Sequence, residues 1–280
     1  MSFTYMLAPL EDTGDNALRT LCHRYGADST FTEMARIDSL ARRNKNTLER
    51  TRLHDDTPAW IQITGSQDNV LKRYFAHFEP QKGFLGFNFN LGCPSPHIIR
   101  NGLGCAMIKR VSKTRKLVQI AKDYSFPVSI KMRLGMNSFE KEKKAYLNLI
   151  DAVDVDFFAV HGRYGTQTYE DPVDYGAIIE CVKSGKTIIA NGDVTSKEQV
   201  DFLKANGIKG VMIGRAAVYN PAIFNLLQGK LIPSLEQLKQ EYLVLADKFN
   251  APFRYQKNVL KRFGQPIETI KQMQDEKVQG

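Results

Sequence analysis

Phe84-Leu85-Gly86-Phe87-Asn88-Phe89-Asn90-Leu91-Gly92-Cys93-Pro94 is an apolar run that ends abruptly. Gly92 and Pro94 stop a strand there and leave the Cys93 thiol at its end, after two asparagines and before Ser95-Pro96-His97. A cysteine usually packs as a small hydrophobe, and these neighbours are wrong for that. The unit to look for elsewhere is therefore a short apolar run with polar or turn-forming residues at its carboxyl end.

Seven more runs fit. They are Tyr5-Met6-Leu7, the weaker Ser29-Thr30-Phe31, Ala59-Trp60-Ile61-Gln62-Ile63, Val128-Ser129-Ile130-Lys131-Met132, Phe157-Phe158-Ala159-Val160, Thr187-Ile188-Ile189-Ala190 and Gly210-Val211-Met212-Ile213. Amphipathic stretches separate them, over 16–25, 69–78, 114–124, 140–152, 174–183 and 196–205. Ser196 followed by Gln199 reads as a capping box opening the last of these. Alternating strands and helices predict a parallel sheet with covered faces. Eight units predict an α/β fold of the (β/α)8 TIM-barrel type over residues 1–232. The same alternation is compatible with an open doubly wound sheet. After Pro233-Ser234 the pattern changes to a short helical segment, 233–280, with helices over 235–249 and 254–262 and a further turn or two over 268–277.

A barrel carries its chemistry at the carboxyl ends of its strands. The residues there are Pro9, Thr32-Glu33, Gln62, Asn90 to Cys93, Lys131 to Arg133, His161 to Arg163, Asn191-Gly192-Asp193 and Gly214-Arg215. The two glycine-containing ends come seventh and eighth, where barrels often cradle a phosphate on backbone N–H groups. Taken singly, each is also an ordinary tight turn. Lys131 sits inside an apolar strand and must meet a partner, because an unpaired buried ammonium is costly. That partner is either an acid in the barrel mouth or an electron-rich ligand. His161 and Gln62 read equally as ordinary strand-end polar residues or as ligand contacts.

The net charge is +9, with six basic residues between Arg36 and Arg52 and six more between Lys109 and Asp123. Such clusters suit a polyanion, and also suit solvated helix faces. Arg254, Lys257 and Lys261 share one helix face. The four cysteines, Cys22, Cys93, Cys105 and Cys181, show neither metal-ligand spacing nor a disulfide framework, so no metal is expected. No apolar run spans a membrane and the amino terminus does not read as a signal peptide. The expectation is a cytoplasmic protein with reduced thiols, not membrane-bound, its oligomeric state open with a monomer favoured.

Eight blocks, MLAPLEDTGDNALRTLC, GADSTFTEM, QITGS, NFNLGCPSPHIIRNGLGCAMIK, VSIKMRLG, VHGRYGTQTY, IANGDVTS and GVMIGRAAVYNPAIF, run in order from residue 6 to residue 224. Together they resemble the signature of the tRNA-dihydrouridine synthases, in a compact form of bacterial or archaeal type. The resemblance implies a flavoenzyme barrel that binds FMN, uses NADPH as reductant and reduces a uridine of tRNA. It implies that hydride passes from flavin N5 to uracil C6 and that Cys93 protonates C5. It places Ala8, Pro9, Leu10, Gln62, Lys131 and His161 at the isoalloxazine. Asn191, Gly192, Asp193, Gly214 and Arg215 fall at the ribityl chain and phosphate, and Asn90, Arg133, Arg163 and Gln167 near the target uridine. It also implies that the carboxy-terminal helices bind tRNA.

The chain departs from the family at three points. Leu10 stands where a methionine is usual, Cys105 stands where a small residue is usual, and the segment after Pro233 is short. Cys105 is read as packing. Two other functions remain open at this stage: an FMN-dependent dehydrogenase of a free pyrimidine, and an RNA-binding barrel without redox chemistry.

Overall fold

A computed structural model describes residues 2–265. The strands are β1 (Thr4–Leu7), β2 (Thr30–Phe31), β3 (Ala59–Thr64), β4 (Phe84–Leu91), β5 (Val128–Arg133), β6 (Phe157–His161), β7 (Ile188–Asn191) and β8 (Gly210–Ile213). All pair in parallel, in the order β1-β8-β7-β6-β5-β4-β3-β2. A bridge between Met6 and Ser29 brings the ends together, with Leu7 N–H donating to Ser29 O at 3.0 Å and Asp28 N–H to Tyr5 O at 2.7 Å. The TIM barrel forms, and the open sheet does not. An additional two-residue strand, Ala35–Arg36, pairs with β3 alone.

Period-two alternation decides what faces inward. Phe158 and Val160 of β6 belong to the outer core under the helices, while Phe157 and Ala159 face the barrel axis. Met6, Phe31, Trp60, Phe157, Ile189 and Met212 form an apolar floor, with Trp60 and Phe157 edge to face at 5.1 Å. Each such buried side chain contributes about 1.5–3 kcal/mol. Two residues further along their strands the inner face turns polar. Glu33 follows Phe31, Gln62 follows Trp60, His161 follows Ala159 and Asn191 follows Ile189. The floor is dry and packed, and the mouth is polar.

Two expected helices change. The stretch 140–152 splits into Ser138–Glu142 and Ala145–Ala152, because Lys144 takes a left-handed conformation (φ 52°). The break sends Lys141 to Asp174 and Lys144 to Glu180. The stretch 174–183 becomes Tyr175–Glu180, capped by Asp174, and a 3-10 turn Cys181–Ser184. Gly104–Met107 forms a 3-10 turn. The Ser196/Gln199 capping box is present at Lys197–Ala205.

In the tail, helices Leu235–Lys248 and Phe253–Leu260 form. Leu238, Tyr242, Leu245, Ala246 and Val259 are buried in the same hydrophobic cluster as the barrel helices. Tyr242 donates its hydroxyl to Asp15, the amino-terminal cap of helix Asn16–Arg24, at 3.2 Å. Tyr255 bonds Glu33, and Arg254 pairs with Asp12, so the second tail helix lies beside the loops after β1 and β2. The turn expected over 268–277 lies outside the described residues.

Candidate active site

The loop after β4 is held from both sides. Asn90 Oδ1 accepts the N–H groups of Gly92 (3.1 Å) and Cys93 (2.9 Å). Behind the loop, Cys105 N–H donates to Cys93 O at 3.1 Å, and the Cys105 thiol donates to Gly92 O at 3.1 Å. Burial pushes the Cys105 thiol up to about 12, and its sulfur is used in this contact, in keeping with a packing role. Cys93 itself is half-buried. Desolvation raises its pKa, so the thiol keeps its proton at neutral pH.

Opposite the thiol, β5 and β6 bring cationic groups together. Arg133 is buried and donates through Nη1 to the carbonyls of Tyr164 (2.8 Å) and Gln167 (3.1 Å). Lys131 has no hydrogen-bond or ion-pair partner among the described residues. Desolvation first, and then the charge of Arg133, push its pKa down to about 8. Burial and the surrounding cations hold His161 well below its ordinary pKa, and it is neutral. Arg163 Nη1 lies 3.2 Å from His161 Nε2. A guanidinium can only donate, so Nε2 accepts and the imidazole proton resides on Nδ1.

The ends of β7 and β8 form the third part. Arg215 bonds Asp193 through Nη2 and lies over the Tyr169 ring, 4.0 Å from its centroid. Gly192 has φ 120°, and a Cβ there would stand 2.9 Å from the His161 ring, so glycine is required. At Gly214 a Cβ would project between Ala8 and Leu10, 3.7 Å from each, into space the glycine leaves open.

Two joined compartments occupy the barrel mouth. The first, of 110 Å³, is bounded by Ala8, Asn191, Gly192, Asp193 and Gly214. The second, of 290 Å³, is bounded by Gln62, Asn90, Cys93, Arg133, Glu11 and Arg262. Pro9, Leu10, Lys131, His161, Tyr169 and Arg215 line both.

The first compartment fits a phosphorylated ligand. The buried Nη1 of Arg215 has no partner among the described residues. The N–H groups of Gly192, Asp193 and Gly214 donate to no backbone group among them. Unpaired donors of this kind beside a guanidinium are a phosphate cradle.

A family model described as Dihydrouridine synthase (Dus) matches residues 6–275. The chain belongs to the dihydrouridine synthase family. A probable tRNA-dihydrouridine synthase of Helicobacter pylori is 33% identical over 227 residues, covering 78% of this chain and 68% of that protein. The tRNA-dihydrouridine synthase B of Pseudomonas syringae is 29% identical over 250 residues, covering 86% and 74%. Two structures of morphinone reductase with tetrahydroNAD superpose with TM-scores of 0.57 and 0.55 at 10% and 9% identity. They cover 85% of this chain and 90% and 89% of those chains, and show a shared fold.

Within this dihydrouridine synthase, most residues singled out from the sequence meet at the mouth. Arg163 and Gln167 do not line either compartment. Arg163 is 1% exposed and holds Asp171 O, Tyr169 O and the Asp193 carboxylate, the last at 2.5 Å. Gln167 folds back to accept from Tyr164 N–H. Both stand behind the wall that carries Arg133, His161 and Tyr169. Tyr169, Glu11, Thr13, Met34 and Arg262 line the mouth without having been singled out. Tyr169 lies within the VHGRYGTQTY block, and its aromatic ring six residues past Arg163 was the available signal.

The basic clusters are partly neutralised, eight of the twelve cations meeting six acids among the described residues. Arg36 and Arg42 meet Asp38, Arg50 meets Glu11 and Arg52 meets Glu49. Lys109 meets Glu140, Lys113 and Lys116 share Asp68, and Lys122 meets Asp154. In the tail stripe Arg254 is paired with Asp12, while Lys257 and Lys261 are exposed without an acid partner among the described residues. No helix among the described residues is long and apolar enough to cross a membrane.

Proposed function

We propose that this dihydrouridine synthase family member reduces the C5–C6 double bond of a uridine in tRNA, with FMN as bound cofactor and NADPH as reductant. One observation carries the reading. A protonated thiol, Cys93, lines one compartment of the barrel mouth and a phosphate cradle lines the other, with Lys131, unpaired among the described residues, lining both. Bound FMN supplies the hydride that uracil C6 receives.

The chain's own residues account for the rest. Arg215 and the N–H groups of Gly192, Asp193 and Gly214 hold the FMN phosphate, with Asn191 and Asp193 beside the ribityl chain. Ala8, Pro9 and Leu10 form an apolar wall for the ring system. Gln62, Lys131 and the Nδ1–H of His161 meet its polar edge, and Lys131 offsets negative charge there. Cys93 gives its proton to C5: the S–H bond breaks, a C–H bond forms, and the sulfur is left as thiolate. The charges of Lys131 and Arg133 stabilise that thiolate until it recovers a proton from water. Asn90 and Arg133 adjoin the thiol and contact the uridine, while Arg163 and Gln167 support that wall from behind. A uridine must leave its stack to reach the thiol. Residues 233–265 contact the tRNA beside the mouth through Lys257, Lys261 and Arg262.

The test is a pair of half-reactions. Protein loaded with FMN should lose its flavin absorption on anaerobic addition of NADPH and recover it on addition of tRNA lacking dihydrouridine. Recovery with free uracil and not with tRNA would overturn the substrate assignment.

A further inference from the structure

Two fully buried polar residues inside the barrel have no part in the chemistry above. Asn88 and Ser129 have 0% exposure, on the inward faces of β4 and β5. An apolar side chain there would bury without needing a hydrogen-bond partner. The strand registers set Gln62 opposite Asn88, and Asn88 opposite Ser129.

A single hydrogen-bonded chain joins these residues to the thiol loop. The Gly92 and Cys93 N–H groups donate to Asn90 Oδ1, and Asn90 Nδ2 donates to Gln62 Oε1 at 2.9 Å. Gln62 Nε2 then donates to Asn88 Oδ1 at 2.7 Å, and Asn88 Nδ2 to Ser129 Oγ at 2.9 Å. Every bond runs in the same sense, away from the loop and into the barrel. The two loop N–H groups require an acceptor from Asn90, which turns its amino group to Gln62. Gln62 must then donate to Asn88, and Asn88 needs a final acceptor. Ser129 supplies it. A flip of any one amide sets donor against donor at the link on its loop side.

We propose that Asn88 and Ser129 are positioning residues that act through Gln62 and Asn90 to hold the Cys93 loop for proton delivery. The proposal rests on the function assigned above. Asn88→Leu removes the partner of Gln62, whereas Asn88→Asp keeps an acceptor for Gln62 and lets the Ser129 hydroxyl turn to donate.

The experiment combines steady-state kinetics on tRNA with the alkylation rate of Cys93 by iodoacetamide, resolved by peptide mass spectrometry on FMN-loaded enzyme. Asn88→Leu should lower kcat by about tenfold to a hundredfold, the scale of a small misplacement of a reacting group. KM for tRNA should stay within about twofold, and Cys93 should alkylate several times faster. Asn88→Asp should restore most of kcat. In a Cys93→Ala background, Asn88→Leu should add no further loss. Should Asn88→Leu not fold, Ser129→Ala carries the same readouts. Wild-type kcat together with wild-type alkylation in the variant, or a fully additive loss in the Cys93→Ala background, would overturn the proposal. If the wild-type enzyme itself forms no dihydrouridine, the functional reading fails, while the alkylation comparison still decides whether the chain holds the loop.

Discussion

Arg215 lies over the Tyr169 ring, 4.0 Å from its centroid, with Nη2 bonded to Asp193 and the buried Nη1 without a partner among the described residues. The guanidinium is thus fixed before any ligand arrives, with one donor left over for a phosphate. Charge-assisted hydrogen bonds contribute about 1.5–3 kcal/mol, so Arg215→Ala should weaken FMN by roughly tenfold to a hundredfold. Tyr169→Leu removes only the stacking partner, worth about 0.5–2 kcal/mol, and should weaken FMN by less. Flavin fluorescence titration measures both. Equal affinity in Arg215→Ala and wild type would remove Arg215 from the cradle.

Lys131 is the second test of preorganisation. Desolvation holds its pKa in the fold at about 8, below the ordinary lysine value of 10.5. Between those values the unfolded chain binds a proton that the fold does not, so stability rises with pH across that window. Below pH 8 the full cost of the buried charge is present. Lys131→Met should therefore stabilise the ligand-free protein at pH 7, and the advantage should shrink from pH 8 towards 10.5. Thermal unfolding across this range checks it. A variant less stable than wild type at pH 7 would mean that the lysine has a partner.

A parallel prediction concerns the tail's anchor. Burial pushes Asp15 up to about 6 from 3.8. Between these values the fold binds the extra proton, so this group's contribution to stability falls as pH rises through the window and is lowest above 6. Asn caps a helix as well as Asp and can still accept from Tyr242. Asp15→Asn should stabilise the protein at pH 7, with the gain vanishing towards pH 3.8. A loss at pH 7 would show that the carboxylate charge is needed.

The polar mouth was readable in the sequence because each strand's apolar run ends in residues a core does not accept, such as Lys131, His161 and Asn191. That Asn88 bonds both Gln62 and Ser129 was not readable, since it depends on the register between strands and not on composition. Arg163 shows a related limit. A strand-end position does not say whether a side chain turns into the mouth or behind its wall, and here Asp193, His161 and two carbonyls draw it behind. The basic clusters show a third limit. Lys113 and Lys116 find Asp68, and Lys122 finds Asp154, partners outside any local count of charge. The break in the helix expected over 140–152, at the left-handed Lys144, takes Lys141 and Lys144 to acids that lie beyond that segment.

This neutralisation gives a prediction for tRNA. Removing Lys257 and Lys261, which have no acid partner among the described residues, should reduce the slope of log affinity against log salt by about one per lysine that contacts a phosphate. Lys113→Ala with Lys116→Ala, which share Asp68, should change it less. Filter binding across a salt series separates the two. The reverse order would move the tRNA surface to the helix Val111–Asp123.

The most direct measurement is mass spectrometry of nucleosides from dihydrouridine-free tRNA incubated with the protein, FMN and NADPH. The account predicts that a uridine gains two hydrogens, and that Cys93→Ala loses most of this activity, about 10²–10⁴-fold for a general acid, while still binding FMN and tRNA. No gain by a protein that holds FMN, or an unchanged rate with Cys93→Ala, would contradict it.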